Sequence, residues 1–498
     1  MYHYNKFSVF HCKHKERKKF MIFNDLFFGF ADASKEFMIE PILFEKSFYD
    51  PYGIITQLQE DWKYIVVGRK GVGKSAFSSK LQSKAKTNNE IITFPFELSN
   101  FEYTTFSKTS ANNAVVGTRK YKDSWDFILL LSVLKTLKLQ PLELNDRVIQ
   151  TIELLKKLGF DIDDEYTKNV KRLSKLKIGA SIGVFDLNYE EEFGEKPIDF
   201  SERIGTLKSL ILEAIRSIHI EKKNFILIDG LDDILRFKKN QLEILSSLIR
   251  SVDFLNEYFY KNQSNIKILL FIREDMLGMI TDPDLNKIKR DGSIKISWCD
   301  DVNSLKEIIE LRFRYSKIAQ KENLISSDFF PKFMKNKEFW DYIFEFTLYK
   351  PRDVLQFLNI CKSMYPNHNS LTYAEVNKVL KIYSKEYFLE EMKNEITGFV
   401  DDEVINTLPS VFRKLSTRSF SLGSFHTLLN DQSIKKTYNI KEVKNVLYYL
   451  FEAGYIGHIY SGGSVDFKYR NPTTNVDFSE NFLIHKGLHL GLGIKLSH

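Results

Sequence analysis

Gly68-Arg69-Lys70-Gly71-Val72-Gly73-Lys74-Ser75 is the segment that decides the fold, because it has the complete GxxxxGK[ST] pattern of a phosphate-binding loop. The apolar run at residues 64–67 predicts a buried parallel strand, and the amphipathic run from Ser75 onward predicts a helix. The glycines let backbone N–H groups point at phosphate oxygens, and the helix N-terminus adds partial positive charge. A chance glycine-rich turn would not explain both flanks, so the sequence predicts a phosphate site.

Each residue of this loop has an expected role. The Lys74 ammonium should neutralise the β- and γ-phosphates of a nucleotide, and the Ser75 hydroxyl should bind Mg²⁺. The predicted nucleotide-binding set of the loop comprises Gly68, Arg69, Lys70, Gly71, Val72, Gly73, Lys74, Ser75 and Ala76.

A second apolar run, at residues 225–228, is followed by Asp229-Gly230-Leu231-Asp232-Asp233. A buried strand that ends in a carboxylate complements a phosphate loop, and it places Asp229 where it can hold Mg²⁺ directly or through water. Asp232 or Asp233 is then expected to polarise the attacking water as the general base, and the sequence does not decide between them. The long separation of the two motifs implies insertions between them.

A third apolar run, at residues 268–272, ends in Arg273. This strand end is where a sensor of the γ-phosphate belongs, and we predict that role for Arg273. The alternative is a surface arginine paired with Glu274 or Asp275. The basic segment 286–291 predicts a turn, either solvated or in contact with the nucleotide of a neighbouring subunit.

The chain is predicted to have four regions: 1–50 an N-terminal extension and lead-in, 51–300 the core with a helical insertion around 100–200, 301–395 a helical lid, and 396–498 a winged-helix-like domain with a tail. The lead-in is expected either to pack near the adenine or to cover the sheet edge. Other patterns predict strands at 91–96 and 293–298, helices at 142–158 and 241–259, a hairpin or strand at 179–184, and a solvated acidic run at 190–192.

The winged-helix prediction rests on a helix at 443–451 followed by two strands, near 453–456 and 465–469, joined by a glycine turn. Lys441 and Lys444 on the recognition helix and Lys468 and Arg470 on the hairpin could meet DNA phosphates. The rest of that helix is apolar and aromatic, which favours docking on the core or on a protein partner.

Composition limits the other classes of function. The 498 residues carry a net charge of +7, which only weakly favours nucleic acid, and no apolar run reaches membrane-spanning length. Cys12, Cys299 and Cys361 are far apart and predict no disulfide framework, so a cytoplasmic location is expected. The basic residues 1–20 lack the features of a signal peptide and suggest an upstream start-site extension.

The segments GRKGVGKSA, ILIDGLDD, LLFIRED and KPRDVLQFLN together resemble bacterial P-loop ATPases related to the STAND and AAA+ classes, with a Walker B element similar to that of NACHT-type proteins. FGFADASKE, DLNKIKRDGSIKISW and FLIHKGLHLGLGI resemble a bacterial family described only as P-loop ATPases, over residues 26–494. The resemblance implies an α/β parallel-sheet core of the ASCE type that binds ATP, a helical lid and a C-terminal winged helix. It also implies that Arg273 is the sensor and that Pro351 and Arg352 occupy the lid position touching adenine or phosphate.

The expected function is Mg²⁺-dependent ATP hydrolysis that sets the angle between core and lid, as in a regulatory switch. By analogy, similar bacterial proteins often serve phage defence. The repeat array and effector domain of complete STAND proteins are not recognisable, so a protein partner in trans is expected, as is a nucleotide-dependent homo-oligomer. The alternative is a DNA-binding ATPase similar to origin-binding initiators. A kinase is least favoured because no acceptor site is visible.

Overall fold

The computed structural model describes residues 21–99, 101–109, 121–140, 143–177, 200–231, 241–280, 282–316, 324–415, 417–433 and 436–494. The predicted strand at 179–184 and the acidic run at 190–192 lie outside these ranges, as do Asp232 and Asp233.

The core is a sheet of five parallel strands in the order β2-β3-β4-β1-β5. The strands are β1 Ile65–Gly68, β2 Ile91–Glu97, β3 Lys223–Asp229, β4 Ile266–Arg273 and β5 Ser293–Lys295. All of β1 and most of β3 and β4 are buried, as expected for parallel strands covered on both faces. Pro95 is tolerated because β2 is an edge strand. The predicted α/β parallel-sheet class is confirmed.

The helices of residues 33–292 begin with two short lead-in helices and continue around the sheet. Asn145 caps α7 by accepting a hydrogen bond from the Val148 N–H at 3.0 Å, which explains why that helix begins later than predicted. The helices are α1 Ala33–Ile39, α2 Pro41–Ser47, α3 Ile54–Glu60, α4 Lys74–Thr87, α5 Tyr103–Phe106, α6 Lys122–Lys138, α7 Asp146–Lys157, α8 Tyr166–Lys177, α9 Phe200–Arg216, α10 Gln241–Lys261, α11 Glu274–Met279 and α12 Leu285–Gly292.

Two predictions near residue 290 need correction. The basic segment 286–291 is not a turn but most of helix α12, whose Leu285 is fully buried and anchors it. The strand predicted at 293–298 ends at Lys295, and the chain beyond it runs beside the phosphate loop.

A helical segment follows the core, and it contains a small hairpin that the sequence did not reveal. Pro351 occupies the first turn of α15, where its missing N–H costs nothing. A π-helix, Tyr383–Phe388, joins α16 to α17 in one continuous helix. The elements are α13 Val302–Arg314, β6 Phe333–Met334, β7 Lys337–Glu338, α14 Phe339–Phe344, α15 Pro351–Met364, α16 Tyr373–Ile382 and α17 Leu389–Ile396.

The C-terminal segment combines helices with a small antiparallel sheet, and its winged-helix assignment stays a prediction. Its antiparallel sheet has the order β10-β9-β11-β8. Gly454, with φ of 85°, ends α20, so the first hairpin strand begins later than predicted. The elements are α18 Asp402–Leu415, β8 Ser419–Phe420, α19 Leu422–Gln432, α20 Ile440–Ala453, β9 Ile456–Ile459, β10 Val465–Asp466, β11 Asn481–Ile484 and α21 Lys486–Leu492. The strands β8 and β11 were not predicted.

Helix α21 packs closely on the π-helix. The Ser384 hydroxyl donates to the Gly487 carbonyl and accepts from the Gly491 N–H at 2.8 Å. A Cβ at Gly491 would lie 2.9 Å from the backbone of Ser384 and Lys385, so only glycine allows this approach.

Candidate functional site

The loop between β1 and α4 has the backbone that phosphate binding requires. Gly71 and Gly73 have φ of 83° and 104°, which residues with a Cβ rarely adopt. Gly73 is the N-cap of α4, so the positive end of the helix and its free N–H groups face the concave side of the loop.

The Lys74 side chain lies within this loop. Its Nζ donates to the Gly68 carbonyl at 3.0 Å and to the Arg69 carbonyl at 3.2 Å. Ser75, in the first turn of α4, is half-buried. The two residues that should meet phosphate and Mg²⁺ are therefore adjacent at the start of one helix.

The carboxyl ends of the neighbouring strands bring three charged residues to the same edge of the sheet. In the strand register Gly68 lies opposite Arg273, and Glu97 lies opposite Asp229. Neighbouring strands are about 4.8 Å apart, so Glu97, Asp229 and Arg273 span the edge beside the loop.

Asp229 and Glu97 form an acidic pair at this edge. Asp229 is 9% exposed, and its Oδ1 accepts the Gly230 N–H at 2.8 Å. The Glu97 residue as a whole keeps contact with solvent. Its pKa is raised to about 7, first because its carboxyl is partly buried and then because Asp229 and Asp32 are nearby negative charges. Glu97 was missed in the sequence, although it also follows an apolar strand. Asp232 and Asp233 lie outside the described residues.

Arg273 has the strand-end position predicted for a sensor and also makes one of the ion pairs of the alternative interpretation. It lies at the end of β4 and is 7% exposed, as a sensor should be, but it is also paired with Asp275 through Nε at 2.9 Å and through Nη2. Burial acts to raise the pKa of the Asp275 carboxyl, but the Arg273 guanidinium, with Lys74, holds it below its ordinary value. The alternative named this pairing with Asp275, but the residue is buried rather than on the surface.

A cavity lies between the loop, the lead-in and the helical segment. Its lining includes Lys74, Ser75 and Asp229 from the core, and Pro351 and Arg352 from the start of α15. The lead-in contributes residues 30–33 and 47–49 to the same cavity, which favours the first of the two roles predicted for it.

Two arginines extend the polar lining of this cavity. Arg352 lies over the loop, since a Cβ on Gly71 would be 3.4 Å from the Arg352 Cβ, and its Nε is buried without a hydrogen-bond partner among the described residues. Arg312 of α13 is paired with the buried Glu36 of α1, which fixes the lead-in to the helical segment. The Arg312–Glu36 pair was not predicted, because its partners are far apart in the chain.

The outer side of the loop makes contacts with other regions. The Arg69 guanidinium donates to the Ala453 carbonyl at the end of α20, and Lys70 pairs with Glu391 of α17 at 3.4 Å. The Trp298 Nε1–H donates to the Val72 carbonyl at 2.9 Å. The charged groups of Arg69 and Lys70, two of the predicted loop residues, are therefore bonded to other regions of the protein.

A second cavity, of about 440 Å³, lies on this outer side between the core and α20. Tyr448, Tyr449 and Glu452 of α20 line it, together with Arg69 and the Arg273–Asp275 pair. It shares Lys70, Val72, Arg273 and Trp298 with the first cavity.

The predicted recognition helix α20 is buried on one side and exposed on the other. Its apolar residues pack against β9, α19 and α17, while the last residue of the helix contacts Arg69 of the core. Docking of this domain on the core or on a protein partner stays a prediction. Lys441, Asn445 and Tyr448 remain exposed. Lys468 donates to the Thr474 carbonyl at 2.8 Å, and Arg470 lies over two tyrosine rings, so these two cations are engaged within the protein.

Within the described ranges, no three His, Cys, Asp or Glu side chains come together to form a metal site. None of the described helices has the length and apolar character needed to cross a bilayer.

Residues 303–390 match the family model described as the FunZ-associated C-terminal helical domain. The chain is 22% identical over 484 residues to the "Putative transposon gamma-delta 80.3 kDa protein" of Escherichia coli (strain K12), with 91% of this chain covered. The chain spans 65% of the length of that curated relative.

Two solved structures are similar over most of their length. The ORC2 protein of Aeropyrum pernix, solved as ADPNP-ADP complexes, aligns with 91% of this chain and 96% of its own, at 11% identity and a TM-score of 0.42. CDC6P from Pyrobaculum aerophilum aligns with 92% of this chain and 97% of its own, at 13% identity and a TM-score of 0.26. TM-scores this low do not establish a common fold, so neither likeness assigns a function.

Proposed function

We propose that the protein binds ATP with Mg²⁺ and hydrolyses it, and that the bound nucleotide sets the position of the helical segment against the core. The observation that carries the proposal is the Lys74 ammonium, held inside a loop with two left-handed glycines. It faces a cavity that Ser75, Asp229 and Arg352 also line.

The residues present fit both the nucleotide and the metal. Ser75 and Asp229 offer oxygen ligands, and Mg²⁺ in phosphate sites usually needs only one or two protein groups besides phosphate and water. Glu97 lies opposite Asp229 in the strand register, so two carboxylates share this edge, and a divalent cation would offset their charge. The unpaired Nε of Arg352 suits an anionic ligand.

The chain's own residues would act mainly by positioning and by charge. Mg²⁺ would supply neutralisation of charge on the β- and γ-phosphate oxygens. Loop N–H groups and Lys74 would orient the phosphates, and Arg352, together with Pro351 at the start of α15, would close on them from the helical segment. Arg273 uses Nε and Nη2 on Asp275, so a γ-phosphate would compete with that pair for its donors, and Asp232 or Asp233 would activate the water.

The larger role is a nucleotide-dependent switch that acts through a protein partner or a homo-oligomer. The STAND-type assignment and a setting in phage defence rest on the resemblance of the motifs alone. Arg290 lies in the last turn of α12, and its side chain is 80% exposed. It could therefore reach a neighbouring subunit.

Calorimetric titration with ATP and Mg²⁺, followed by phosphate-release assays, tests the proposal. Lys74→Ala should weaken ATP binding by on the order of 100-fold, because charge-assisted bonds to the phosphates are lost. Lys86→Ala, at an exposed position of the same helix, is the matched control. Unchanged affinity in Lys74→Ala would contradict the proposal.

DNA binding is the second candidate, and the exposed side of α20 favours it. Lys441 and Asn445 project from the helix on the side away from its buried apolar residues, as a recognition helix requires. The name of the curated relative, a transposon protein, is compatible with contact to DNA.

The test for DNA is charge reversal of Lys441 and Lys444 to glutamate, because Lys468 and Arg470 are engaged elsewhere. A DNA-bound ATPase should lose salt-sensitive DNA retention while ATP binding persists. Reversal of Arg413 and Lys414 on α18 is the matched control. Equal retention in both double variants would remove α20 as the DNA-reading element.

A further inference from the structure

Arg69 connects the phosphate loop to the C-terminal domain at a point where that domain is shaped to receive it. Its Nη2 donates to the carbonyl of Ala453, the last residue of α20, and its guanidinium lies 5.4 Å from the centre of the Tyr469 ring. The last carbonyls of a helix lack partners within it, and a cation there is favourable. Arg69 therefore acts as a cap supplied by another domain.

The backbone after α20 leaves room only for this arrangement. Gly454 has φ of 85°, and a Cβ there would lie 2.8 Å from the Tyr469 ring and 3.0 Å from the Arg69 Nη2. Tyr469 continues the connection inward, since its hydroxyl is 3.0 Å from the Nε2 of the buried His485, which precedes α21.

The backbone carbonyl of Arg69 is bonded to Lys74, the residue that should meet phosphate. The Arg69 carbonyl accepts from Lys74 Nζ at 3.2 Å, while its side chain holds Ala453. Phosphate oxygens compete with neutral carbonyls for an ammonium, because hydrogen bonds between ionised partners are roughly twice as strong. Phosphate binding would thus remove Lys74 from the peptide that carries Arg69.

We infer that Arg69 couples the phosphate site to the seating of the C-terminal domain. The end of α20 is held against the core while Lys74 bonds to the Arg69 carbonyl, and it is released when phosphates draw Lys74 away, whereas α17 and the π-helix keep the domain on the helical segment. This inference rests on the proposed ATP binding, and it specifies how the phosphate site would control the position of α20. Release would expose Tyr449 and Glu452, which now line the second cavity.

The C-terminal domain packs mainly on the helical segment, through α17 and the π-helix, and Arg69 is its contact with the phosphate loop. The neighbouring Lys70–Glu391 pair is 3.4 Å long and about one-fifth exposed on both sides, so it contributes little. The cavity of about 440 Å³ between the surfaces means that close packing does not hold them together.

Hydrogen–deuterium exchange of residues 440–453 in the full chain tests the coupling, with and without saturating Mg²⁺ and a non-hydrolysable ATP analogue. The wild-type protein should exchange at least threefold faster in this segment when the analogue is bound. Arg69→Gln and Tyr469→Leu should exchange fast without nucleotide and show no further increase. Lys414→Gln, at an exposed position of α18 outside the measured segment, should respond as the wild type does.

Calorimetry with the same analogue separates the two proposals. If the wild type binds the analogue and exchange in α20 does not change, the coupling is wrong and the proposed function stands. A nucleotide response that survives in both Arg69→Gln and Tyr469→Leu also overturns the coupling. If the wild type binds no analogue, the proposed function fails and the coupling fails with it.

Discussion

The two halves of the phosphate loop face different parts of the molecule. Residues 73–75 lie at the start of α4, beside the carboxyl ends of β3 and β4 and facing the first cavity. Residues 69–71 contact α20, α17 and the start of α15, and Arg69 and Lys70 also line the second cavity. The inner half is built for phosphate chemistry, and the outer half is built for contact between domains.

The difference shows what a motif specifies. The fixed letters of GxxxxGK[ST] fall at positions where backbone shape, an ammonium or a hydroxyl is required. Arg69 and Lys70 stand at the unspecified positions, and there the chain is free to place contacts of its own. A change in the inner half should therefore alter ligand binding, and a change on the outer side should alter stability and domain position.

Among the contacts around the outer half of the loop, we expect the largest effect on stability at Lys350, which lies next to Gly71. Its Nζ is 2.6 Å from Glu395 Oε1, and both side chains are almost fully buried. Lys350→Ala leaves Glu395 charged without its partner and should lower the free energy of unfolding by about 3 kcal/mol. Denaturant titration measures this loss. Lys138→Ala, from an exposed pair with Asp163, should cost under about 1 kcal/mol. Similar losses in the two variants would contradict the prediction.

On the inner side, Asp229→Asn should weaken ATP binding by roughly 10-fold to 100-fold when Mg²⁺ is present, because a charged ligand oxygen is lost. The same titration in EDTA should show little difference from the wild type. A loss that is equal with and without Mg²⁺ would mean that Asp229 does not act through the metal.

Glu97→Gln should change how stability depends on pH. A carboxyl whose pKa is raised to about 7 on folding stays protonated while the unfolded chain ionises, so its contribution to stability is complete at low pH and declines between about pH 4.5 and 7. Melting temperatures measured from pH 5 to 8 should fall less in Glu97→Gln than in the wild type. Parallel profiles would show that the Glu97 carboxyl titrates normally.

The smallest effect is expected at Lys70. Its pair with Glu391 is partly exposed, so Lys70→Gln should change the free energy of unfolding by less than about 1 kcal/mol, and added salt should erase the difference. A double-mutant cycle with Glu391→Gln measures the pair alone. A coupling well above that limit would place Lys70 beside Arg69 as a second strong contact of the outer side.

The sequence predicted the inner half because its determinants are local. The apolar strand, the glycines and Lys74 lie within about a dozen residues, and a strand end alone placed Asp229 and Arg273 at the same edge. Glu97 follows the same rule and could have been found by applying it to the edge strand.

The outer half could not be predicted, because each of its contacts depends on how distant segments pack. Nothing near Arg69 indicates that its partner is Ala453, and nothing near Arg273 decides between phosphate and Asp275. The short strands β8 and β11 leave too few residues for an alternating pattern, and their partners lie far along the chain. The apolar side of α20 was correctly seen as buried, but the sequence could not name β9, α19 and α17 as the elements that cover it.

The π-helix between α16 and α17 gives residues 373–396 a change of phase. Each residue turns an α-helix by about 100°, and a π segment takes up one extra residue without turning the helix further. Glu391 and Glu395 therefore point about 100° away from the direction that counting along an uninterrupted α-helix would assign to them. The direction in which both carboxylates point thus depends on the π-helix that precedes them, and Gly487 and Gly491 of α21 are bonded to Ser384 in that same π-helix.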